Sequence, residues 1–252
     1  MLSLIPTPPA NAFVAKSALN EPQKTFPLDL FFCESCTHVQ LLDIVDPSVL
    51  FADYVYVSGT SPVFVEHFKN YAADILNRFQ APADSLVVDI GSNDGTLLSI
   101  FKDAGMTVLG IDPARDIAAQ ANQNGIETKT DFFTKSLAKS IADDRGPTSI
   151  ITANNVFAHA DDLIGIVEGI QRLMAPDGVF VFEVSYLLDV YEQTLFDTIY
   201  HEHLAYHSVK PLVSFFQAYG LELIEAKRVS SHGGSLRGIV QHAGGPHAVG
   251  PS

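Results

Sequence analysis

The sequence predicts an α/β protein: an open, mostly parallel sheet of seven strands with helices on both faces, preceded by a small irregular N-terminal lobe. Three observations predict it. From residue 62 onward, short apolar runs alternate with helix-length amphipathic stretches. The last two runs are joined by only Ser230-Ser-His-Gly-Gly234, too few residues for a helical crossover, so that pair is expected to be antiparallel. Residues before about 61 show neither pattern and carry Pro6, Pro8, Pro9, Pro22 and Pro27.

In the N-terminal lobe, taken as 1–61, Leu28–Phe32 and His38–Leu42 read as short strands, with the pair Cys33-x-x-Cys36 between them and an aromatic run Asp53-Tyr-Val-Tyr56 after them. Ser61-Pro62 supplies a cap and a first-turn proline for an amphipathic helix through Phe79. Ser85–Ile90 is an apolar run of the kind a buried parallel strand shows. Further strands are expected at 107–111, 127–131, 148–153, 178–184, 221–229 and 235–242. Helices are expected at 95–104, 113–123, 134–142, 161–174, 187–197 and 209–219. The main domain is taken as 62–245, and 246–252 as the start of a further C-terminal region.

Composition narrows the function. With 252 residues, 47% hydrophobic and 17% charged, the chain has enough apolar material for one or two globular domains and too little charge for general disorder. Its formal net charge of −14 repels phosphate backbones and anionic lipid, which argues against nucleic acid and membrane partners. Prolines interrupt the apolar start before a signal-peptide core forms, and the expected location is the cytoplasm. Cys33 and Cys36 are the only cysteines, so a disulfide framework is excluded and they read as a local motif, half of a tetrahedral zinc site or reduced thiols in a loop.

Two stretches carry chemistry. Val88-Asp-Ile-Gly-Ser-Asn-Asp-Gly-Thr96 follows a strand and opens a helix, where backbone N–H groups favour a carboxylate or phosphate. Gly91 and Gly95 lie four apart, so GxGxxG and a nicotinamide cofactor are disfavoured. Asp89, Gly91, Asn93 and Gly95 look instead like the acidic-x-Gly-x-Gly-x-Gly signature of S-adenosylmethionine enzymes, with Asn93 in place of a middle glycine. Asp112 is placed to hold two ribose hydroxyls, and Asp131, Phe132 and Phe133 to bracket an adenine. The blander alternative is that the glycines only make a tight turn and Asp112 caps the helix at Pro113.

At the end of the 148–153 strand, Asn154, Asn155 and His159 stand where an open sheet presents side chains to ligand; the asparagines serve equally as caps for the helix near Asp161. The second stretch, Tyr200-His-Glu-His203, supports three readings. It is an acid/base site, with one histidine removing a proton and Glu202 or Tyr200 orienting it. It is a metal site needing a third ligand from elsewhere. Or its histidines are hydrogen-bonded core residues.

Seven strands ending in an antiparallel hairpin resemble the class I methyltransferases. More specifically, the Asn11-Ala-Phe13 start, Cys33-x-x-Cys36, Phe51-Ala-Asp-Tyr-Val-Tyr-Val-Ser58, the Asp89-to-Gly95 turn, Asn154-Asn155 with His159, and Tyr200-His-Glu-His203 resemble the nucleotide-sugar C-methyltransferases of deoxysugar biosynthesis. The resemblance implies S-adenosylmethionine as cofactor and a nucleotide-linked 4-keto sugar as acceptor. It implies His203 as the base that takes a proton next to the ketone, with Tyr200 and Glu202 beside it and Tyr54 and His159 reaching the acceptor from the other side. It also implies a zinc-binding lobe held by two cysteine pairs, of which this chain has one, and a further C-terminal domain, so the chain is expected to be a fragment. An O- or N-methyltransferase and a non-catalytic cofactor-binding module are the alternatives. A nicotinamide-dependent epimerase would need a Tyr-x-x-x-Lys pair, which does not occur. A diphosphate acceptor would call for positive charge gathered from Lys210, Arg228 or Arg237.

Overall fold

The computed structural model describes residues 1–47, 50 and 57–250. Two sheets organise it. The larger holds seven strands, β4 (Leu86–Ile90), β5 (Thr107–Ile111), β6 (Thr128–Lys129), β7 (Thr148–Asn154), β8 (Met174–Ser185), β10 (Leu221–Val229) and β11 (Ser235–His242). Their order is β10-β11-β8-β7-β4-β5-β6. The pairs β4·β5, β4·β7, β5·β6 and β7·β8 are parallel, while β11 runs antiparallel to both β8 and β10, as the short 230–234 connection requires. The α-helices among the described residues include α1 (Pro62–Phe79), α2 (Thr96–Asp103), α3 (Arg115–Gln123), α4 (Lys135–Arg145), α5 (Leu163–Leu173), α6 (Leu187–Glu192) and α7 (Val209–Ala218).

Both faces of this sheet are packed. On one, Phe157, Phe180, Phe182 and Phe216 are fully buried and stack on one another. On the other, α1 buries Phe64, Phe68, Tyr71, Ala72 and Ile75, a helical stripe, against Val87, Ile150, Val179 and Val181. The Ser61 hydroxyl caps α1 by accepting from the Phe64 N–H, with Pro62 in the first turn. The parallel strands end on a common edge, where the glycine turn after β4 meets the loop after β7.

The smaller sheet contains β1 (Leu2–Thr7), β2 (Phe26–Phe32), β3 (Val39–Leu41) and β9 (Ala205–Tyr206), all antiparallel, in the order β1-β2-β3-β9. Its core is small: Leu28, Val39, Leu41, Leu204 and Tyr206. Two of its strands are absent from the sequence reading. β1 forms despite Pro6 because it is an edge strand whose pairing shifts register between Leu4 and Thr7, where a missing N–H is tolerated. β9 comes from far along the chain, so the lobe is completed by residues beyond 61.

Several boundaries differ from expectation. The helix expected from 113 starts at Arg115 because Asp112 takes the Ala114 N–H. The helix expected over 187–197 stops at Glu192, and Thr194 turns left-handed at φ +57°. The strand expected over 127–131 is only Thr128–Lys129, whereas the one expected over 178–184 extends to Met174–Ser185.

Candidate active site

The glycine turn is built by positive φ angles. Gly91 sits at φ +68°, and a Cβ there would lie 2.2 Å from Val156 Cγ2, so only glycine fits. Asn93 adopts φ +51°, which explains why asparagine replaces a glycine: it is among the side chains most tolerant of left-handed backbone. Its Oδ1 also accepts from the Ser58 N–H at 2.9 Å, and Asp94 accepts from the Gly59 N–H at 2.9 Å, so the chain entering α1 is tied onto the turn.

The backbone N–H groups expected to face a ligand are spent differently. Those of Gly91 and Ser92 donate to the Ile111 carbonyl, and that of Asn93 donates to Asp112 Oδ2 at 2.8 Å, bracing the turn against β5. Asp112 Oδ1 accepts from Ala114 N–H at 2.8 Å, so the capping role is real. Each carboxylate oxygen keeps a further lone pair for a ribose hydroxyl. Burial pushes the Asp112 carboxyl above its ordinary value, outweighing the two backbone donors.

Asp89 lies beneath the turn rather than on the open edge: it is buried, accepts from Thr152 Oγ1 at 2.6 Å, and burial pushes its pKa up to about 7. Asp131 and Phe132 follow β6 in an exposed loop, but Phe133 is buried in the core and cannot bracket an adenine. Asp162, not Asn154 or Asn155, caps α5 by accepting from Gly165 N–H at 2.8 Å. The Asn154 amide is shielded from solvent at the edge, and Asn155 turns left-handed with its N–H on the Glu183 carbonyl.

The Tyr200-His-Glu-His203 residues diverge. His203 Nδ1 lies 2.8 Å from the Thr198 carbonyl, and that oxygen only accepts, so Nδ1 carries the proton. Nε2 is therefore the basic nitrogen, and the Tyr200 hydroxyl donates to it at 3.0 Å. His159 meets the His203 ring edge-on at 4.9 Å. Burial, and then the neighbouring His203, push the His159 pKa down to about 3, so it stays neutral.

Glu202 is corrected here: it does not orient His203, a task the Thr198 carbonyl performs, but turns to the N-terminal lobe and accepts from Asn11 Nδ2 at 2.6 Å. Burial raises its pKa, and Asn11 partly offsets this. His201 is a buried ring beside the Phe26 and Pro27 carbonyls, which is the core reading. With side chains pointing three ways, the cluster does not form a metal site. Tyr54 lies outside the described residues.

A charged network escaped the sequence reading. Glu183 is 1% exposed on β8, and its Oε1 accepts from Arg237 Nε at 2.6 Å. Its Oε2 lies 2.7 Å from His67 Nε2 on α1, and Arg237 stacks over the Tyr71 ring at 4.3 Å. Burial alone would raise Glu183, but its His67 and Arg237 partners hold it below the ordinary carboxylate range. The one available signal was a lone acid in the apolar run Gly178-Val-Phe-Val-Phe-Glu-Val184. Arg237 is thus buried and committed to Glu183 and is not available to a diphosphate, whereas half-exposed Arg228 pairs on the surface with Glu192 at 3.1 Å.

Cys33 and Cys36 are exposed in the β2–β3 turn, and hydrogen bonds from the Cys36 backbone and side chain hold the Cys33 thiol below its ordinary value. That suits a metal-bound thiolate. Two sulfurs are nevertheless half a tetrahedral set, and no group of three or more His, Cys, Asp or Glu suited to a metal ion occurs among the described residues.

A family model described as "Methyltransferase domain" matches residues 64–226. The chain belongs to this family. A second, described as "Putative zinc binding domain", matches residues 1–51. The C-methyltransferase NovU of Streptomyces niveus is 35% identical over 227 residues, covering 90% of this chain and 54% of that protein; the chain thus spans about half the length of this relative. A ubiquinone biosynthesis O-methyltransferase of Burkholderia thailandensis is 27% identical over 158 residues, covering 58% of this chain and 68% of that protein. Among solved structures, an S-adenosylmethionine-dependent methyltransferase from Clostridium acetobutylicum superposes with a TM-score of 0.56 at 11% identity, over 71% of this chain and 92% of that one. Magnesium protoporphyrin IX methyltransferase from Synechocystis, solved with bound cofactor, gives 0.51 at 15% identity, over 71% and 80%. These structural likenesses show the class I methyltransferase fold. Family and fold together make this a methyltransferase domain of the class I fold. No helix among the described residues is long and apolar enough to cross a membrane.

Proposed function

We propose that the protein is a C-methyltransferase acting, in the cytoplasm, on the carbon next to the ketone of a nucleotide-linked 4-keto deoxysugar, with His203 as the base. The carrying observation is the His203 geometry: Nδ1–H anchored on the Thr198 carbonyl, Nε2 basic, and a tyrosine hydroxyl 3.0 Å from it. The 35% identity to a protein named as a C-methyltransferase supports the same reading. Asp112 would hold the ribose of the cofactor, with Gly91, Asn93 and Gly95 shaping the turn against which it lies.

S-adenosylmethionine, when bound, supplies a sulfonium methyl that is electrophilic toward carbon. The protein must generate the nucleophile. A C–H next to a ketone is acidic only if the developing enolate oxygen is stabilised. His203 Nε2 takes the proton as the Tyr200 hydroxyl turns from Nε2 to the ketone oxygen and donates to it. The C–H electron pair moves into the enolate and the proton remains on His203; a cofactor held by Asp112 and the glycine turn would supply its methyl to the enolate carbon and leave as the thioether. Neutral His159 packs against the His203 ring and fixes its plane.

The test is solvent deuterium uptake by a nucleotide-linked 4-keto sugar, with S-adenosylhomocysteine in the cofactor site. Uptake at the carbon next to the ketone, abolished in His203→Asn, is expected. An O- or N-methyltransferase needs no carbanion, so methyl transfer without exchange on the carbon acceptor, or full exchange in His203→Asn, would overturn the assignment.

A further inference from the structure

The buried network on the α1 face makes contact with the edge where the cofactor binds. Glu183 is opposite Asn154 in the β7·β8 register, and Ala153 is opposite Ile90, so Glu183 and Gly91 stand at the same level of the sheet. Asn155 donates its N–H to the Glu183 carbonyl at 2.8 Å. The start of α1 is itself tied to the glycine turn through Ser58 and Asn93. His67, less than two turns into α1, therefore lies beside the cofactor edge.

Direction decides which part of the cofactor reaches it. Asp112 and Asp131 place ribose and adenine on the β5 and β6 side of β4, whereas β7 and β8 lie on the opposite side. The amino-acid tail is then the part that extends toward His67. Tautomer decides the chemistry. Glu183 is ionised and can only accept, so His67 Nε2 carries the proton that bridges them and Nδ1 is left as an acceptor. His67 has one-fifth of its side chain exposed, and no described group is hydrogen-bonded to Nδ1. The charged groups of this network are Glu183, Arg237 and Asp74, which lies 3.8 Å from Arg237. An open acceptor on a ring anchored by an ionised carboxylate suits a group that donates hydrogen bonds, an ammonium among them.

We infer that His67 Nδ1 accepts a hydrogen bond from the α-ammonium group of the cofactor's amino-acid tail, and that Glu183, locked by Arg237, is the positioning residue that fixes the ring for this. A buried ion pair is seldom retained for stability alone, since well-packed apolar residues often do as well; orienting His67 gives this one a role. The inference rests on the S-adenosylmethionine assignment.

Three ligands separate the possibilities: S-adenosylhomocysteine, its analogue lacking the α-amino group, and 5′-methylthioadenosine, which lacks the whole tail. For the unaltered protein the account expects S-adenosylhomocysteine to bind about tenfold or more tighter than the desamino analogue, the scale of a hydrogen bond to a charged group. In His67→Phe, which keeps a ring against Phe64, that gap should close while 5′-methylthioadenosine binding is unchanged. Glu183→Gln should narrow it partly. Equal affinity of the unaltered protein for the two tailed ligands overturns the inference even if the variants fail to fold, and so does a gap that persists in His67→Phe. Failure of the unaltered protein to bind any of the three overturns the cofactor assignment itself.

Discussion

The two sheets solve the same problem with very different resources. The seven-stranded sheet buries apolar side chains on both faces, with four phenylalanines stacked in one core cluster. Among the described residues the four-stranded lobe has one small cluster of five buried residues, and it leaves Leu2, Ile5, Phe13, Phe32 and Leu42 exposed. It gains its last strand only by borrowing Ala205–Tyr206, immediately after the proposed catalytic His203. The larger sheet is thus the scaffold, and the lobe is a dependent layer whose integrity is linked to the active-site segment.

That difference should be visible in the cost of truncation. Phe182→Ala, in contact with Phe157, Phe180 and Phe216, is expected to cost about 3–5 kcal/mol of global stability in urea unfolding. Leu41→Ala should cost about 2–3 kcal/mol, in the lower part of the range for core leucines, and act locally. Hydrogen exchange should accelerate across β1–β3 and β9 while β4, β7 and β8 remain protected. Uniform acceleration would show that the two sheets unfold as one unit.

The contact between lobe and active-site segment offers a sharper probe. Asn11→Ala removes the partner of buried Glu202, whose second oxygen has no partner among the described residues, and is expected to cost about 1–3 kcal/mol. Proteolysis within residues 1–47 should increase. No change in stability would mean that water replaces the asparagine.

The last effect is read in acid, as a slope with pH. His207 is buried on Phe157, and burial, with His38 beside it, pushes its pKa down to about 3, as for His159. Unfolding frees these rings to bind protons below about 6.5. Their contribution is therefore fully present above that pH and is lost as pH falls toward 3. His207→Phe should flatten the stability–pH slope in this window by about 1.4 kcal/mol per pH unit, one proton's worth. An unchanged slope would mean that His207 takes up its proton while folded.

Much of the scaffold was legible in the sequence because its signals are local. Apolar runs of strand length, the Ser61-Pro62 cap and the five-residue 230–234 connection each act within a few residues. The glycine turn was legible for the same reason, including Asn93 as the substitute for a glycine. What escaped depends on distant partners. β9 is two residues long and has no pattern apart from its pairing with β3. His67, Glu183 and Arg237 lie on three elements, each explicable alone as part of a helix or strand. The role expected of Glu202 failed because adjacency in sequence placed it beside His203, whereas its side chain turns toward Asn11.

The central claim is that Asp112 and the glycine turn bind the cofactor while His203 performs chemistry on a separate acceptor. Calorimetric titration of the unaltered protein, Asp112→Ala and His203→Asn with S-adenosylmethionine tests it most directly. The account predicts equal binding by the unaltered protein and His203→Asn, with binding lost in Asp112→Ala. Binding that survives Asp112→Ala, or is lost in His203→Asn, would contradict it.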